Sequence, residues 1–260
     1  VWIKTNSKAT DVNVTQGIGG HIKGGLTGIS ANNQGSGSTI LTTSGDVVGK
    51  SSYGIEAKNS ANGQDINITQ NDGTILGGTT GINVLNEGMG STAINLASEV
   101  TGNSQNGIYV LNKEKAKDLT ITQTSGSIEG NTTGIHAINQ GTGSTTITQI
   151  AGDITGGTHG IGVYHARLSS TIENNAIDII INQSAGNISG AQSGIYVLQE
   201  GIGSTSVTTQ GNIKGISSQG ILIDNNSQRS TGVTVNQIAG YIEGYSGLSA
   251  TNYGTNSLLS

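Results

Sequence analysis

The stretch Gly107-Ile108-Tyr109-Val110-Leu111-Asn112 decides the fold, because the chain of 260 residues repeats its chemistry nine times. Successive copies are 26 or 27 residues apart, apart from one interval of 34 residues. The copies open at Gly28, Gly54, Gly81, Gly107, Gly134, Gly160, Gly194, Gly220 and Gly247. A period of this length is typical of a solenoid of stacked repeats rather than of a compact domain.

Each repeat contains three short strand signals. After the opening glycine, apolar residues alternate with other residues, and this period of two indicates a strand with one buried face. A second signal ends in Gln, as in Asp118-Leu119-Thr120-Ile121-Thr122-Gln123, and a third is a Gly-x-Ile-x-Gly pattern centred on residues such as Ile128. With no helical pattern anywhere, the sequence predicts an all-β fold, a right-handed single-stranded parallel β-helix of about nine turns.

An amide side chain recurs five residues after the opening glycine. Asn tolerates the left-handed backbone of a corner, and its amide can bond to the identical amide of the next turn. The pattern predicts an asparagine ladder, interrupted by His165 and Gln199. Its members are Asn33, Asn59, Asn86, Asn112, Asn139, Asn225 and Asn252.

Composition limits the classes of function. The chain has 43 Gly, no Cys, 10% charged residues and a net charge of −5, which disfavours nucleic acid and acidic membranes as partners of the whole molecule. No stretch approaches 18 consecutive apolar residues, so no transmembrane helix is expected. We expect one continuous domain over residues 1–260, a fragment cut within a coil at both ends. A solenoid buries its strand edges except at its ends, so a monomer is predicted.

The Gly-Ile-x-Val-x-Asn, Gly-x-Ile-x-Gly and Gly-x-Gly-Ser-Thr motifs over the whole chain resemble the pertactin-like passenger domain of Gram-negative autotransporters. In that family a signal peptide and a C-terminal translocator barrel flank the passenger, and we expect both to lie outside residues 1–260. The resemblance implies export through the outer membrane, a secreted or cell-surface location, and contact with host cells. One branch, from vessel-colonising vector-borne bacteria, acts as growth-factor-like ligands on endothelial cells, and this chain is similar to it in composition and repeat style.

Catalytic chemistry is not apparent in the sequence. Lyases and hydrolases on β-helices gather carboxylates on adjacent turns, but here Asp46 and Asp153 share a column four turns apart. The four histidines occupy four different columns, so neither a metal nor a cofactor is expected. The chain is therefore predicted not to be an enzyme. A polysaccharide lyase or hydrolase and a purely structural stalk remain as alternatives, and ice binding is disfavoured because no regular Thr-x-Thr ladder is recognised.

Basic residues follow the Asn position on alternate turns. They are Lys113, Lys115, Lys117, Arg167 and Arg229, five of the eleven basic residues, and the register places them along one edge. The turn containing Arg167 also carries the insertion of about eight residues. Loops on one face of a solenoid often bind partners. The alternative is that these charges only solvate the turns.

Two outward columns of the Gly-Ile strand are unusual. One contributes Tyr109, His136, Tyr196 and Leu222, and the other is apolar only in its middle turns, with Leu85, Leu111, Ile138, Tyr164 and Leu198. An apolar and aromatic stripe beside basic loops is typical of a protein-binding surface. We predict that this edge binds a host-cell receptor or a glycosaminoglycan-like glycan. The alternative is that Leu111 and its equivalents are core residues of the corner.

Overall fold

The computed structural model describes residues 1–166 and 174–254. This part of the chain contains strands β1 to β28 and no helix. Each strand pairs in parallel with its equivalents one repeat before and after, and this generates three stacked sheets. The structure confirms the predicted all-β solenoid of about nine turns with three short strands per turn. No helix in the described part could cross a membrane.

The three sheets are named A, B and C, in the order in which the chain passes through them after each opening glycine. Sheet A, which contains that stretch, is formed by β1 (Trp2–Lys4), β4 (Ile29–Asn33), β7 (Ile55–Asn59), β10 (Ile82–Asn86), β13 (Asn106–Asn112), β16 (Thr133–Asn139), β19 (His159–His165), β22 (Ser193–Gln199), β25 (Gln219–Asn225) and β28 (Ser246–Asn252). Sheet B is formed by β2 (Val12–Thr15), β5 (Thr39–Ser44), β8 (Ile66–Asp72), β11 (Thr92–Leu96), β14 (Leu119–Gln123), β17 (Thr145–Gln149), β20 (Ile179–Gln183), β23 (Ser204–Thr209) and β26 (Gly232–Gln237). Sheet C is formed by β3 (His21–Gly24), β6 (Asp46–Gly49), β9 (Ile75–Gly77), β12 (Val100–Gly102), β15 (Ile128–Gly130), β18 (Ile154–Gly156), β21 (Asn187–Gly190), β24 (Asn212–Gly215) and β27 (Ile242–Glu243).

The core is one thin layer of branched aliphatic residues. In one turn, sheet A contributes Ile108 and Val110, sheet B contributes Leu119 and Ile121, and sheet C contributes Ile128, all fully buried. Burying side chains of this size stabilises the fold by about 1.5–3 kcal/mol each. Equivalent residues stack in register from turn to turn, so the inward positions form one continuous core.

The opening glycine is required by close approach at the corner between sheets C and A. A Cβ atom on Gly107 would lie 2.7 Å from the carbonyl oxygen of Gly134 and 2.8 Å from Cγ2 of Ile128. A side chain at this position would therefore collide with the next turn and with the core. The same close approach is found at the other opening glycines from Gly28 to Gly220, which explains why glycine recurs there.

The predicted asparagine ladder lies at the corner between sheets A and B, but two predicted details are wrong. Within the described residues no residue other than glycine has positive φ, so the Asn backbone is not left-handed. The amides also donate to the backbone rather than to one another: Asn112 Nδ2 donates to the carbonyl oxygens of Lys117 (3.4 Å) and Asp118 (3.2 Å). Asn112 Oδ1 accepts a hydrogen bond of 2.7 Å from the Thr92 hydroxyl.

Donation from Nδ2 to backbone carbonyl oxygens recurs at Asn33, Asn59, Asn86, Asn139 and Asn225, because a narrow turn leaves carbonyl groups that no strand can pair. The partner of Oδ1 alternates between a Thr hydroxyl, as at Asn112, and the N–H of a glycine two residues later, as at Asn86. Six of the seven Asn side chains are buried, and Asn252, in the last turn, is half-buried. The members that occupy the corner are Asn33, Asn59, Asn86, Asn112, Asn139, Asn225 and Asn252.

A second amide column, which the sequence analysis did not identify, lies at the corner between sheets B and C. Gln123 Nε2 donates to the carbonyl oxygens of Gly126 (2.7 Å) and Asp153 (3.2 Å). The following glycines, including Gly126, have positive φ and make the tight turn. The signal in the sequence was the Gln that recurs at this position in six of the nine turns. Its column reads Gln16, Thr43, Gln70, Leu96, Gln123, Gln149, Gln183, Thr209 and Gln237.

Alternate turns begin sheet B differently, and hydrogen bonds account for the alternation. Asp118 Oδ1 accepts a bond of 2.9 Å from the backbone N–H of Ser144, one turn later. The hydroxyl of Ser144 in turn accepts a bond of 3.3 Å from the backbone N–H of Asp178. An Asp and a Ser therefore cap each other's turns, which explains the two-turn repeat of the sequence.

Candidate partner-binding face

The outward side of sheet A changes character along the solenoid. We number the turns by their opening glycines, so turns 4 to 7 open at Gly107, Gly134, Gly160 and Gly194. The first outward column, two residues after the glycine, reads Ser30, Glu56, Asn83, Tyr109, His136, Gly162, Tyr196, Leu222 and Ser249. The second, four residues after it, reads Asn32, Lys58, Leu85, Leu111, Ile138, Tyr164, Leu198, Asp224 and Thr251.

Five rings of turns 4 to 7 form one continuous cluster, which we call the aromatic ridge: Tyr109, His136, His159, Tyr164 and Tyr196. The ring centroids of Tyr109 and His136 are 5.3 Å apart, and those of His136 and Tyr164 are 4.8 Å apart and stacked. Tyr164 meets Tyr196 edge to face at 5.4 Å, and His159 stacks on Tyr196 at 5.2 Å. These are favourable aromatic geometries, so the ring contacts stabilise the ridge.

Gly162 allows Tyr164 to join the ridge. Tyr164 belongs to the second outward column, whereas the rings it contacts belong to the first. A Cβ atom on Gly162 would lie 3.1 Å from Cε2 and 3.3 Å from the hydroxyl oxygen of Tyr164. The ring therefore lies over the glycine and fills the place between His136 and Tyr196 that a side chain at position 162 would occupy.

Burial keeps the ridge uncharged at neutral pH. Desolvation lowers the pKa of His136 to about 4, and the neighbouring His159 adds to the shift. Burial also lowers the pKa of His159 and raises the pKa of Tyr164 to about 12. The ridge thus presents neutral rings whose protonation does not change around pH 7.

The apolar column beside the ridge is not core. Leu85, Leu111, Ile138 and Leu198 are each half-buried and point outward, while the residues on either side of them along the strand are buried. The alternative that Leu111 and its equivalents fill the corner is therefore wrong. The corner itself is filled by the Asn ladder.

Charged groups border this apolar centre. In turn 2, Lys58 forms an ion pair of 2.6 Å with Glu56, which also accepts a bond of 2.7 Å from Ser30. At the other end Asp224 follows Leu198 in the column. The pKa of Tyr196 is raised by burial and, less strongly, by the negative charges of Asp224 and Glu200.

The predicted basic residues of turn 4 lie at the corner between sheets A and B, next to Leu111. Lys113 is half-buried, and Lys115 and Lys117 are exposed. None of the ion pairs within the described residues includes these three lysines. A shallow hollow at this corner is lined by Ala61, Glu87, Lys113, Glu114 and Lys115. The corner is thus mixed in charge rather than purely basic.

Arg229, another of the predicted basic residues, does not join this corner. Arg229 reaches two turns back, where its guanidinium donates to the carbonyl oxygen of Asn174 (2.6 Å) and to Oδ1 of Asn175 (3.4 Å). Asn174 Nδ2 donates to the carbonyl oxygen of Ala166 at 2.9 Å, so these contacts hold the two chain segments beside the insertion together. Arg167 lies outside the described residues.

Groups that could perform catalysis or bind metal are dispersed over the described ranges 1–166 and 174–254. In them no three His, Cys, Asp or Glu side chains come close enough to hold a metal ion. Asp46 is engaged as a cap: hydrogen bonds from the backbone and hydroxyl of Thr74 lower its pKa, and His21 lies 3.0 Å away. Asp153 similarly accepts two bonds of 2.9 Å from Asn187.

The structure therefore brings together most of the residues predicted for the binding edge, and it adds two that sequence reasoning missed. Tyr109, His136, Tyr164 and Tyr196 contact one another in succession, with Leu111, Ile138 and Leu198 beside them. The additional residues are His159 and Gly162. A signal for Gly162 existed, since it is the only glycine in its column.

Comparison with protein-family models, with curated proteins and with solved structures gives no match for this chain.

Proposed function

We propose that this chain is the passenger part of an exported bacterial surface protein that binds a receptor on host cells without catalysis. The observation that carries the proposal is the aromatic ridge, in which five neutral rings are in contact on the outer side of sheet A. The fold does not require apolar residues at these outward positions. The solenoid period and motifs support the passenger assignment. The protein is then secreted or displayed on the bacterial surface, as adhesin or receptor agonist.

The distribution of apolar and charged groups favours a protein partner. Protein interfaces have an apolar centre enriched in Tyr and a polar rim. Here Leu111, Ile138 and Leu198 accompany the rings, and charges of both signs lie around them. A sulfated glycan is favoured by a uniformly positive surface, but the corner with Lys113 also carries Glu87 and Glu114. The protein receptor is therefore the preferred partner.

The test is binding to cultured human endothelial and epithelial cells, with receptor tyrosine phosphorylation as a second readout. The variant Tyr109→Ser/Tyr164→Ser/Tyr196→Ser removes three rings. Its control, Thr122→Ser/Thr148→Ser/Thr208→Ser, changes three outward residues of sheet B. We expect the control to bind like the parent chain and the ring variant to lose at least nine-tenths of binding while both remain folded by circular dichroism.

Equal binding by the two variants contradicts the assignment of the ridge. If the parent chain binds neither cell type, the receptor function itself is wrong, and a stalk or an enzyme takes its place. Release of reducing ends from oligosaccharides would identify the chain as an enzyme. The structure does not favour this alternative, because the described residues contain no cluster of three or more His, Cys, Asp or Glu side chains. A basic-corner variant, Lys113→Glu/Lys115→Glu/Lys117→Glu, separates the contribution of this corner from that of the rings.

A further inference from the structure

The displacement of Tyr164 leaves a gap in the second outward column. Because its ring lies over Gly162 in the first column, it does not fill its own place between Ile138 and Leu198. These two side chains stand on the strands at either side, about 9.6 Å apart at two strand spacings. The apolar column is therefore interrupted by a notch one strand wide.

The side chains around the notch are apolar or aromatic. Ile138 and Leu198 form its two ends, and the Tyr164 ring forms one side. The ring cannot move toward either neighbour in the ridge, since it stacks on His136 and meets Tyr196 edge to face. No charged residue occupies either outward column in turns 3 to 7. The notch is thus preorganised to receive an uncharged group.

We infer that the notch receives a single large apolar side chain, aromatic or long aliphatic, presented by a protein partner. The inference rests on the proposed receptor function and specifies the anchor of that contact. Interface energy concentrates where one side chain fills a preformed, dehydrated pocket on the other protein. The notch offers such a position on sheet A, between Ile138 and Leu198.

The size of the face argues for a protein as the occupant. Four strands of seven residues and one of five, at about 3.3 Å per residue and about 4.8 Å between strands, give a face of about 520 Å². A stable interface needs about 800 Å² on each partner, so the contact has to extend onto the adjoining corner with Lys113 and Glu87. That corner offers charges of both signs, which suit the polar rim of a protein. A glycan of repeating sugar units is less well matched, because the face offers one notch rather than a series of equivalent sites.

Gly162→Ala tests the inference with little risk to the fold. The new Cβ would lie 3.1 Å from the Tyr164 ring and meets no backbone atom among its three nearest contacts, so the ring has to move and can swing back into its own column. We expect the substitution to close the notch and weaken cell binding by tenfold or more, with an unchanged thermal unfolding midpoint. The double variant Gly162→Ala/Tyr164→Ala has no ring to displace, so it should bind like Tyr164→Ala alone.

The outcomes distinguish this inference from the proposed function. If the parent chain binds no cells, the proposed function fails. If the parent binds and Gly162→Ala binds equally well, the notch is not the anchor and the inference is overturned. Loss of binding after enzymatic removal of cell-surface glycans identifies a glycan instead, and a parent dimer that Gly162→Ala abolishes identifies a second copy of the chain. Either result overturns the protein partner.

Discussion

The outer faces of sheets A and B share one scaffold and one register but differ in chemistry. On sheet B one outward column contains only Thr and Asn, uniformly through nine turns: Thr15, Thr42, Thr69, Asn95, Thr122, Thr148, Asn182, Thr208 and Asn236. On sheet A the corresponding positions are polar or charged at both ends and apolar from Leu85 to Leu198. This sheet B column is regular, whereas the sheet A column departs from regularity in its centre.

The difference teaches that the solenoid constrains its inward residues and leaves the outward ones free. Small β-branched residues such as Thr suit a solvated sheet, so the sheet B face needs no partner to explain it. An apolar and aromatic patch in water is unfavourable for solubility and usually marks an interaction site. The sheet B register also refines one expectation: a threonine column exists, but complete Thr-x-Thr pairs occur only in β14 and β17.

The largest expected effect is on the free energy of unfolding. It should distinguish Gly134, which the fold requires, from Gly162, which we propose serves the binding face. A Cβ on Gly134 would lie 2.6 Å from the carbonyl oxygen of Gly160 and 2.7 Å from Cγ2 of Ile154. We expect Gly134→Ala to lower the free energy of unfolding by about 3 kcal/mol through overpacking, measured by urea denaturation. Gly162→Ala should change it by less than about 0.5 kcal/mol. Equal losses in the two variants would refute this division.

The next expected effect is a loss of stability at acidic pH. His136 has a pKa of about 4 in the folded chain, against 6.5 when unfolded, so the unfolded state binds more protons between these values. Stability is therefore full above pH 6.5 and falls as the pH drops toward 4, by about 3 kcal/mol from His136 alone.

The measurement for His136 is urea denaturation at several pH values between 4 and 7. We expect His136→Gln to flatten the curve in this range, because its side chain does not titrate. A second buried imidazole, His165, has its pKa lowered to about 3 and should contribute in the same direction. The control is Thr148→His, at a half-exposed position of sheet B, which should leave the curve unchanged. A parent chain that is equally stable at pH 4.5 and 7 contradicts the burial of these imidazoles.

The smallest effect is a matched pair of charge substitutions. Ile138→Lys places an ammonium group in the centre of the sheet A face, and Thr148→Lys places one at a half-exposed position of sheet B. We expect cell binding to fall at least tenfold for Ile138→Lys, or about 1.4 kcal/mol, and less than twofold for Thr148→Lys. Both should unfold within about 1 kcal/mol of the parent, since each lysine can reach water. The reverse order of affinities would locate the contact on sheet B.

Much of the fold could be predicted because the repeat multiplies a weak signal. One Gly-Ile-x-Val stretch predicts little, but nine stretches at a constant spacing fix the period, the strands and the inward face. The hydrogen bonds of Asn112 could not be predicted in this way, because they depend on how closely the carbonyl groups of Lys117 and Asp118 approach. The column was predicted correctly and its bonding incorrectly.

The candidate face was predictable in part for a similar reason. Register alone placed Tyr109, His136 and Tyr196 in one column. Register could not show that Tyr164 crosses to that column, since the direction of a ring depends on the vacant space above Gly162. His159 was missed because it precedes its opening glycine, outside the alternation that defines the outward columns. Side-chain direction, rather than topology, was the missing information.

The most direct test of the central claim uses a photo-cross-linking residue at one position at a time, Leu111 on sheet A or Thr122 on sheet B. Both side chains are half-buried and point outward. On intact endothelial cells we expect cross-links from position 111 to a membrane protein, abolished by excess unlabelled parent chain, and none from position 122. Competed cross-links from position 122 with none from position 111 would contradict the claim that sheet A carries the binding face.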